Sequence, residues 1–128
     1  MKITFEGKAK VIAHFEGFEV KTDLVENAGG ENTALNPFQL LLTSLSCCEG
    51  LFARLFIEKH GITVADKRLE ISFDFNDQSN LTKVHTNIFV GGNFPQELEN
   101  GLLNSVKACK VKKHLNPKIA FDYAIVRS

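Results

Sequence analysis

The sequence predicts an α+β fold, antiparallel strands with two main helices, in one domain spanning residues 1–128. Three observations predict it. Blocks of alternating apolar and polar residues come in pairs on both sides of a long apolar run. That run carries helix start and stop signals. A second, shorter run at helical spacing precedes the last alternating block. With 128 residues, 44% of them hydrophobic, the chain is long enough to bury a core of its own.

The elements follow in order. Ala9, Val11, Ala13 and Phe15 alternate with Lys8, Lys10, Ile12 and His14, and Phe18, Val20 and Thr22 resume the pattern after Glu16-Gly17. This is a hairpin. From Glu26 to Thr33 the composition is that of a loop. Asn36 then serves as N-cap, Pro37 as first helical residue and Gln39 as the returning arm of a capping box. The helix is expected to run to about His60. Lys59 and His60 suit its negative end, and Gly61 suits a left-handed cap. Leu69, Ile71, Phe73 and Phe75 alternate, as do Val84, Thr86, Ile88 and Val90, with Asn76 to Asn80 as the turn between them. Pro95 opens a second helix with Leu98, Leu102, Val106 and Cys109 on one face. Asn116-Pro117 breaks the chain, and Ile119, Phe121, Tyr123 and Ile125 make a final strand.

The first helix is apolar nearly all round: Leu40, Leu41, Leu42, Leu45, Leu51, Phe52, Leu55, Phe56 and Ile57 cover most of its circumference. Such a helix is normally buried all round, which a domain of this size cannot do alone. A homodimer in which this helix packs on its symmetry mate is therefore expected.

Composition narrows the function. Fifteen basic and fifteen acidic residues cancel, so no global field selects nucleic acid or an anionic membrane. Met1 to Glu6 alternates instead of forming an apolar signal core, and no apolar run reaches spanning length without polar interruption. Three cysteines are an odd number, against a secreted disulfide framework and in favour of the cytoplasm with free thiols. No Gly-rich phosphate loop or nucleophile elbow is present. His14, His60, His85 and His114 lack metal-ligand spacing, and no cofactor is expected.

The cysteines carry the remaining signal. Cys48 lies inside the first helix, and Cys109 ends the second and opens into Lys110-Val111-Lys112-Lys113. Thiolates are favoured near positive charge, so Lys107, Lys110, Lys112 and Lys113 are expected to lower the pKa of Cys109. From these residues alone, a reactive pair and two buried structural cysteines both remain open. Cys47 sits about 100° around the helix from Cys48 and is expected to pack. Glu49 is either a site acid or a surface or intersubunit contact. Arg54 suits a structural ion pair.

The segment Pro37-Phe38-Gln39-Leu40-Leu41-Leu42-Thr43-Ser44-Leu45-Ser46-Cys47-Cys48 resembles the first cysteine motif of the osmotically inducible protein C (OsmC/Ohr) family of thiol-dependent hydroperoxide reductases. There a proline opens a leucine-rich helix and the reactive cysteine follows eleven residues later, which here is Cys48. Cys109-Lys110-Val111-Lys112-Lys113-His114-Leu115 is similar to the family's second motif. Phe38 and Gln39 stand where branches of the family carry glutamate, Lys110 where the second motif has proline, and no arginine precedes Arg54. The N-terminal hairpin, which supplies the family's arginine, offers Lys8, Lys10, His14 and Lys21.

The resemblance implies an OsmC-like fold with the first helix central and buried in an intertwined homodimer. It implies a peroxidase acting on small organic hydroperoxides. Cys48 is the nucleophile, Cys109 the resolving thiol, Glu49 a candidate acid, and a cellular dithiol the reductant. The alternative is a non-catalytic homodimer of the same fold that binds a small apolar ligand in the vestigial cleft.

Overall fold

The computed structural model describes residues 1–63 and 67–128. The chain forms two compact units, Met1–Ser44 and Leu45–Ser128.

The first unit holds a three-stranded antiparallel sheet of β1 (Lys2–Glu6), β2 (Lys10–Phe15) and β3 (Phe18–Thr22), in that order. The expected hairpin is β2–β3. Glu16 and Gly17 link it with φ of 50° and 84°, the mirror-image turn whose twist matches that of paired strands. The N-terminal alternation adds β1, with Ile3 opposite Ala13. Ile12, placed on the polar face by the alternation, is the buried residue of β2. Both parities of this strand carry apolar side chains, so period alone does not choose the inner face.

Helix α1 (Pro37–Lys59) has the bounds its signals dictate. Asn36 Oδ1 accepts from the Gln39 amide at 2.8 Å, and Gln39 Oε1 accepts from the Asn36 amide at 3.0 Å, a complete capping box. At the other end Gly61 has φ of 61°, its amide donates to Glu58 O at 3.1 Å, and the Ile62 amide reaches Ile57 O at 3.1 Å. These two bonds define a Schellman stop, and the left-handed residue is the one with no Cβ penalty.

The second unit contains most of α1, helix α2 (Glu99–Lys107) and a sheet of β4 (Lys67–Phe75), β5 (Leu81–Val90) and β6 (Ala120–Arg127), ordered β4-β5-β6. β4 and β5 pair antiparallel, with Leu69 opposite Ile88, Ile71 opposite Thr86 and Phe73 opposite Val84. β6 corrects the expectation of purely antiparallel sheets, because it runs parallel to β5 with Thr86 opposite Tyr123. The segment containing α2 returns the chain to the end from which β5 began, the crossover that a parallel neighbour requires. The α+β class itself stands. Pro95 is followed by a 3₁₀ turn at Gln96–Leu98 before α2 begins.

Along α1, Leu45, Glu49, Ala53 and Ile57 form one buried stripe. Ala53 and Ile57 join Ile88, Val90, Phe94, Leu102 and Val106 in one core cluster, and Leu45 joins Val84 and Cys109 in another. A Cβ at Gly101 of α2 would stand 2.8 Å from the Phe56 ring, so any larger residue there requires the ring to shift. α1 has the length and hydropathy of a membrane-spanning helix, a property of length and composition alone. Buried core helices share it, and the stripe containing Glu49 faces the protein's own sheet.

Candidate functional site

Helix α1 presents Cys48 half-buried at the edge of the second cluster, beside Leu45, Val84 and Cys109. Cys109 follows the last turn of α2 and is fully buried. Its amide closes onto Val106 O at 3.2 Å, and the chain then turns sharply, so that the Lys112 amide donates to Cys109 Sγ at 3.4 Å. The same turn aims the Val111 and Lys110 amides at the Cys48 sulfur, and the Cys109 thiol donates to it as well. The fold thus brings the two cysteines named by the sequence into contact. Phe73, Leu81, Leu115, Ile119 and Phe121 wall the pair.

The two thiols are polarised in opposite senses. Burial pushes Cys48 up, but the Val111 amide, the Cys109 thiol and the Lys110 amide offset it and hold Cys48 below the ordinary thiol value, with the Glu49 charge opposing them. Burial pushes Cys109 up to about 11, although the Lys112 amide favours its thiolate. This corrects the expectation that the neighbouring lysines lower Cys109. Burial dominates this sulfur, and the segment acts on it and on Cys48 through backbone N–H groups, those of Val111 and Lys110 bearing on Cys48.

Glu49 is fully buried. Thr86 of β5 donates its hydroxyl to one carboxyl oxygen at 2.6 Å, and Tyr123 of β6 donates to the other at 3.2 Å. Burial raises the Glu49 pKa, against the two hydrogen bonds and the positive charge of Lys112. Burial also raises Tyr123 well above the ordinary phenol value, so it remains a donor. The Lys112 ammonium sits over the rings of Phe121 and Tyr123, 4.7 and 5.0 Å from their centres. The sequence reading placed Glu49 on a surface, in a subunit contact or in the site, and it missed Thr86 and Tyr123. Tyr123 is the sole tyrosine and sits in an apolar strand, where a phenol needs a partner. That signal was available.

The other candidates stand apart from the thiols or belong to the first unit. Cys47 is exposed. Arg54 pairs with Glu58 on the same exposed face of α1 at 2.7 Å. In the first unit Lys10 pairs with Glu31 at 3.1 Å, whose carboxylate also accepts from the Lys8 amide, and His14 lies 3.2 Å from Glu19. Lys21 is exposed. His60 bonds Phe56 O, His85 bonds Asp74 and His114 bonds Lys110 O. Among the described residues no three His, Cys, Asp or Glu side chains gather as metal ligands. A groove of about 450 Å³ between α1 and β4–β5, floored by Ala53, Ile57 and Ile88, contains neither cysteine. The chemistry is located by the thiols and not by this groove.

A long helix bearing one thiol, with a second thiol delivered by the turn after the next helix, defines a class of paired-cysteine α+β proteins. Residues 29–124 match the OsmC-like protein family, and the chain belongs to that family. A proposed osmotic stress induced and detoxification response protein from Psychrobacter arcticus is similar at 23% identity, with 98% of this chain and 93% of that one covered and a TM-score of 0.79. An OsmC-like protein from Mycoplasma pneumoniae shares 14% identity over 92% of this chain and 88% of its own, with a TM-score of 0.72. An organic hydroperoxide resistance protein from Elizabethkingia anophelis shares 15% identity over 99% and 94%, with a TM-score of 0.66. At these identities the likenesses establish the fold. No functionally curated protein matches the chain.

Proposed function

We propose that this chain is a thiol-dependent peroxidase that reduces small organic hydroperoxides through Cys48 and resolves through Cys109. The observation that supports it is the opposed polarity of two touching thiols, Cys48 held toward thiolate by backbone amides and Cys109 held protonated by burial. The Cys48 thiolate attacks the distal peroxide oxygen. The O–O bond breaks, the hydroxyl passes to sulfur to give a sulfenic acid, and the leaving alkoxide takes a proton from solvent to depart as the alcohol. The Cys109 sulfur then attacks the Cys48 sulfur. Its own proton leaves with the hydroxyl as water, and a disulfide remains. A cellular dithiol reduces that disulfide by exchange. The walls of Phe73, Leu81, Leu115 and Phe121 suit an alkyl group. A site recycled by dithiols suits a reducing compartment, the cytoplasm.

Residues 1–128 are read as one OsmC-like domain acting as a homodimer, with no nucleic acid or membrane partner. The family match extends across both compact units, and α1 leaves Leu51 and Leu55 half exposed. The test is dithiothreitol-dependent consumption of cumene hydroperoxide by the wild type and by Cys48→Ser. Turnover by the wild type alone is expected. A wild type that consumes no alkyl hydroperoxide, or a Cys48→Ser variant as active as the wild type, overturns the proposal.

A further inference from the structure

Glu49 is a buried carboxyl that the peroxide chemistry above does not use. It directly follows Cys48 in α1, and its two oxygens are fixed by hydroxyl donors on two different strands, Thr86 and Tyr123. Among the described residues it makes no ion pair. Lys112, the cation acting on it, is seated over the aromatic rings of Phe121 and Tyr123. A buried carboxyl served only by neutral donors is costly to ionise. Consecutive residues of a helix point about 100° apart, so this carboxyl does not meet the reacting sulfur head-on. As the next residue of α1, fully buried in a site of low polarity, it lies close enough for its charge to oppose a second negative charge on Cys48.

We propose that Glu49 is a positioning residue that sets the acidity of Cys48: ionised, it holds the thiol protonated, and neutral, it releases the thiolate. The reactivity of Cys48 therefore carries the titration of Glu49 as well as its own. Among the described residues the groups facing Glu49 are few. α1 contributes Cys48, β5 the neutral Thr86 hydroxyl, β6 the Tyr123 phenol, and the segment after α2 contributes Lys112. Cys109 acts in turn on Tyr123. Burial raises Glu49 itself, so its ionisation falls closer to the range where Cys48 begins to lose its proton. Tyr123 stays protonated throughout and donates to the carboxylate, stabilising the charged form that restrains the thiol.

This inference rests on Cys48 being the reactive thiol, but its test uses no peroxide, so it and the peroxidase reading fail separately. In a Cys47→Ser background, iodoacetamide alkylation of Cys48 is followed by peptide mass from pH 4 to 9. Glu49→Gln removes the opposing charge and is expected to lower the midpoint by about half a pH unit or more, raising the rate at pH 6 about threefold. Thr86→Val removes a donor to the carboxylate, keeps Glu49 neutral to higher pH, and is expected to shift Cys48 the same way by less. A purely structural Glu49 predicts altered thermal stability with an unmoved midpoint. A midpoint unchanged or raised in folded Glu49→Gln overturns the proposal. If that variant fails to fold, no downward shift in Thr86→Val overturns it.

Discussion

Cys47 and Cys48 are adjacent, yet one is exposed and the other is held by two amides and a thiol. Helical geometry alone separates them, and counting from Pro37 points to Cys48, the one that lies beside Cys109. Cys47→Ser is therefore expected to keep most peroxidase activity, and Cys48→Ser to lose it while remaining folded, since oxygen replaces sulfur at little change in volume. Activity surviving in Cys48→Ser but not in Cys47→Ser would place the nucleophile one residue earlier. About one equivalent of hydroperoxide should link Cys48 to Cys109, because Cys109 already donates its proton to the Cys48 sulfur. Peptide mapping that finds sulfinic acid at Cys48 and free Cys109 would sink the two-thiol step. Residue-scale partnerships were the least legible in the sequence. Glu49 meets partners 37 and 74 positions away, and no local pattern records such pairings. Asp23 was equally invisible: buried in a loop, it accepts from the Thr33 hydroxyl at 2.7 Å and from the Thr33 and Leu24 amides. The Thr33 bond above all holds its carboxyl at about 2. A depressed acid contributes stability above its unfolded value near 4, and that stability is lost as the pH falls toward 2. Asp23→Asn should flatten acid unfolding across that window, and an unchanged acid transition by circular dichroism would show that the loop cage contributes nothing.

At the scale of elements, signals confined to a few consecutive residues were fully readable. The α1 capping box and its glycine stop need only neighbours along the chain, and both form as the residues dictate. Strand direction is different. Alternation in Ile119, Phe121, Tyr123 and Ile125 reports which face is apolar and is blind to whether the strand runs with or against its neighbour, so β6 was expected antiparallel and is parallel. A different ambiguity put Ile12 on the wrong face of β2, where both parities of the strand carry apolar side chains. The caps give a direct test. Asn36→Ala should cost about 1 kcal/mol. Gly61→Ala, forced to keep a left-handed backbone, should cost about 1–2 kcal/mol. Urea unfolding measures both. A Gly61→Ala variant as stable as the wild type would mean that the stop can re-form without a left-handed residue.

For the whole molecule, the decisive fact is what α1 leaves uncovered. Its buried stripe runs through Leu45, Glu49, Ala53 and Ile57, while Leu51 and Leu55 remain 52% and 51% exposed. The sequence signalled this, because a helix apolar all round exceeds what one small protomer can cover. The identity of the cover was not legible, since apolarity names no partner. Exposed leucines one turn apart on a rigid helix form a patch that association removes from water at about 25 cal/mol per Å². A second copy supplies the same patch by symmetry, as twofold assembly requires. The protein is therefore expected to be dimeric at low micromolar concentration. Leu51→Lys together with Leu55→Lys should shift it to monomer, because two desolvated ammonium groups would replace two buried leucines. Light scattering reads the mass, and hydrogen exchange reads α1. If the wild type is monomeric while the α1 amides stay protected, the exposed leucines are simply tolerated in water and the dimer is wrong. If the double variant remains dimeric, the interface lies elsewhere. Monomer formation with newly rapid exchange along α1 would show that assembly completes the burial this helix lacks within one chain.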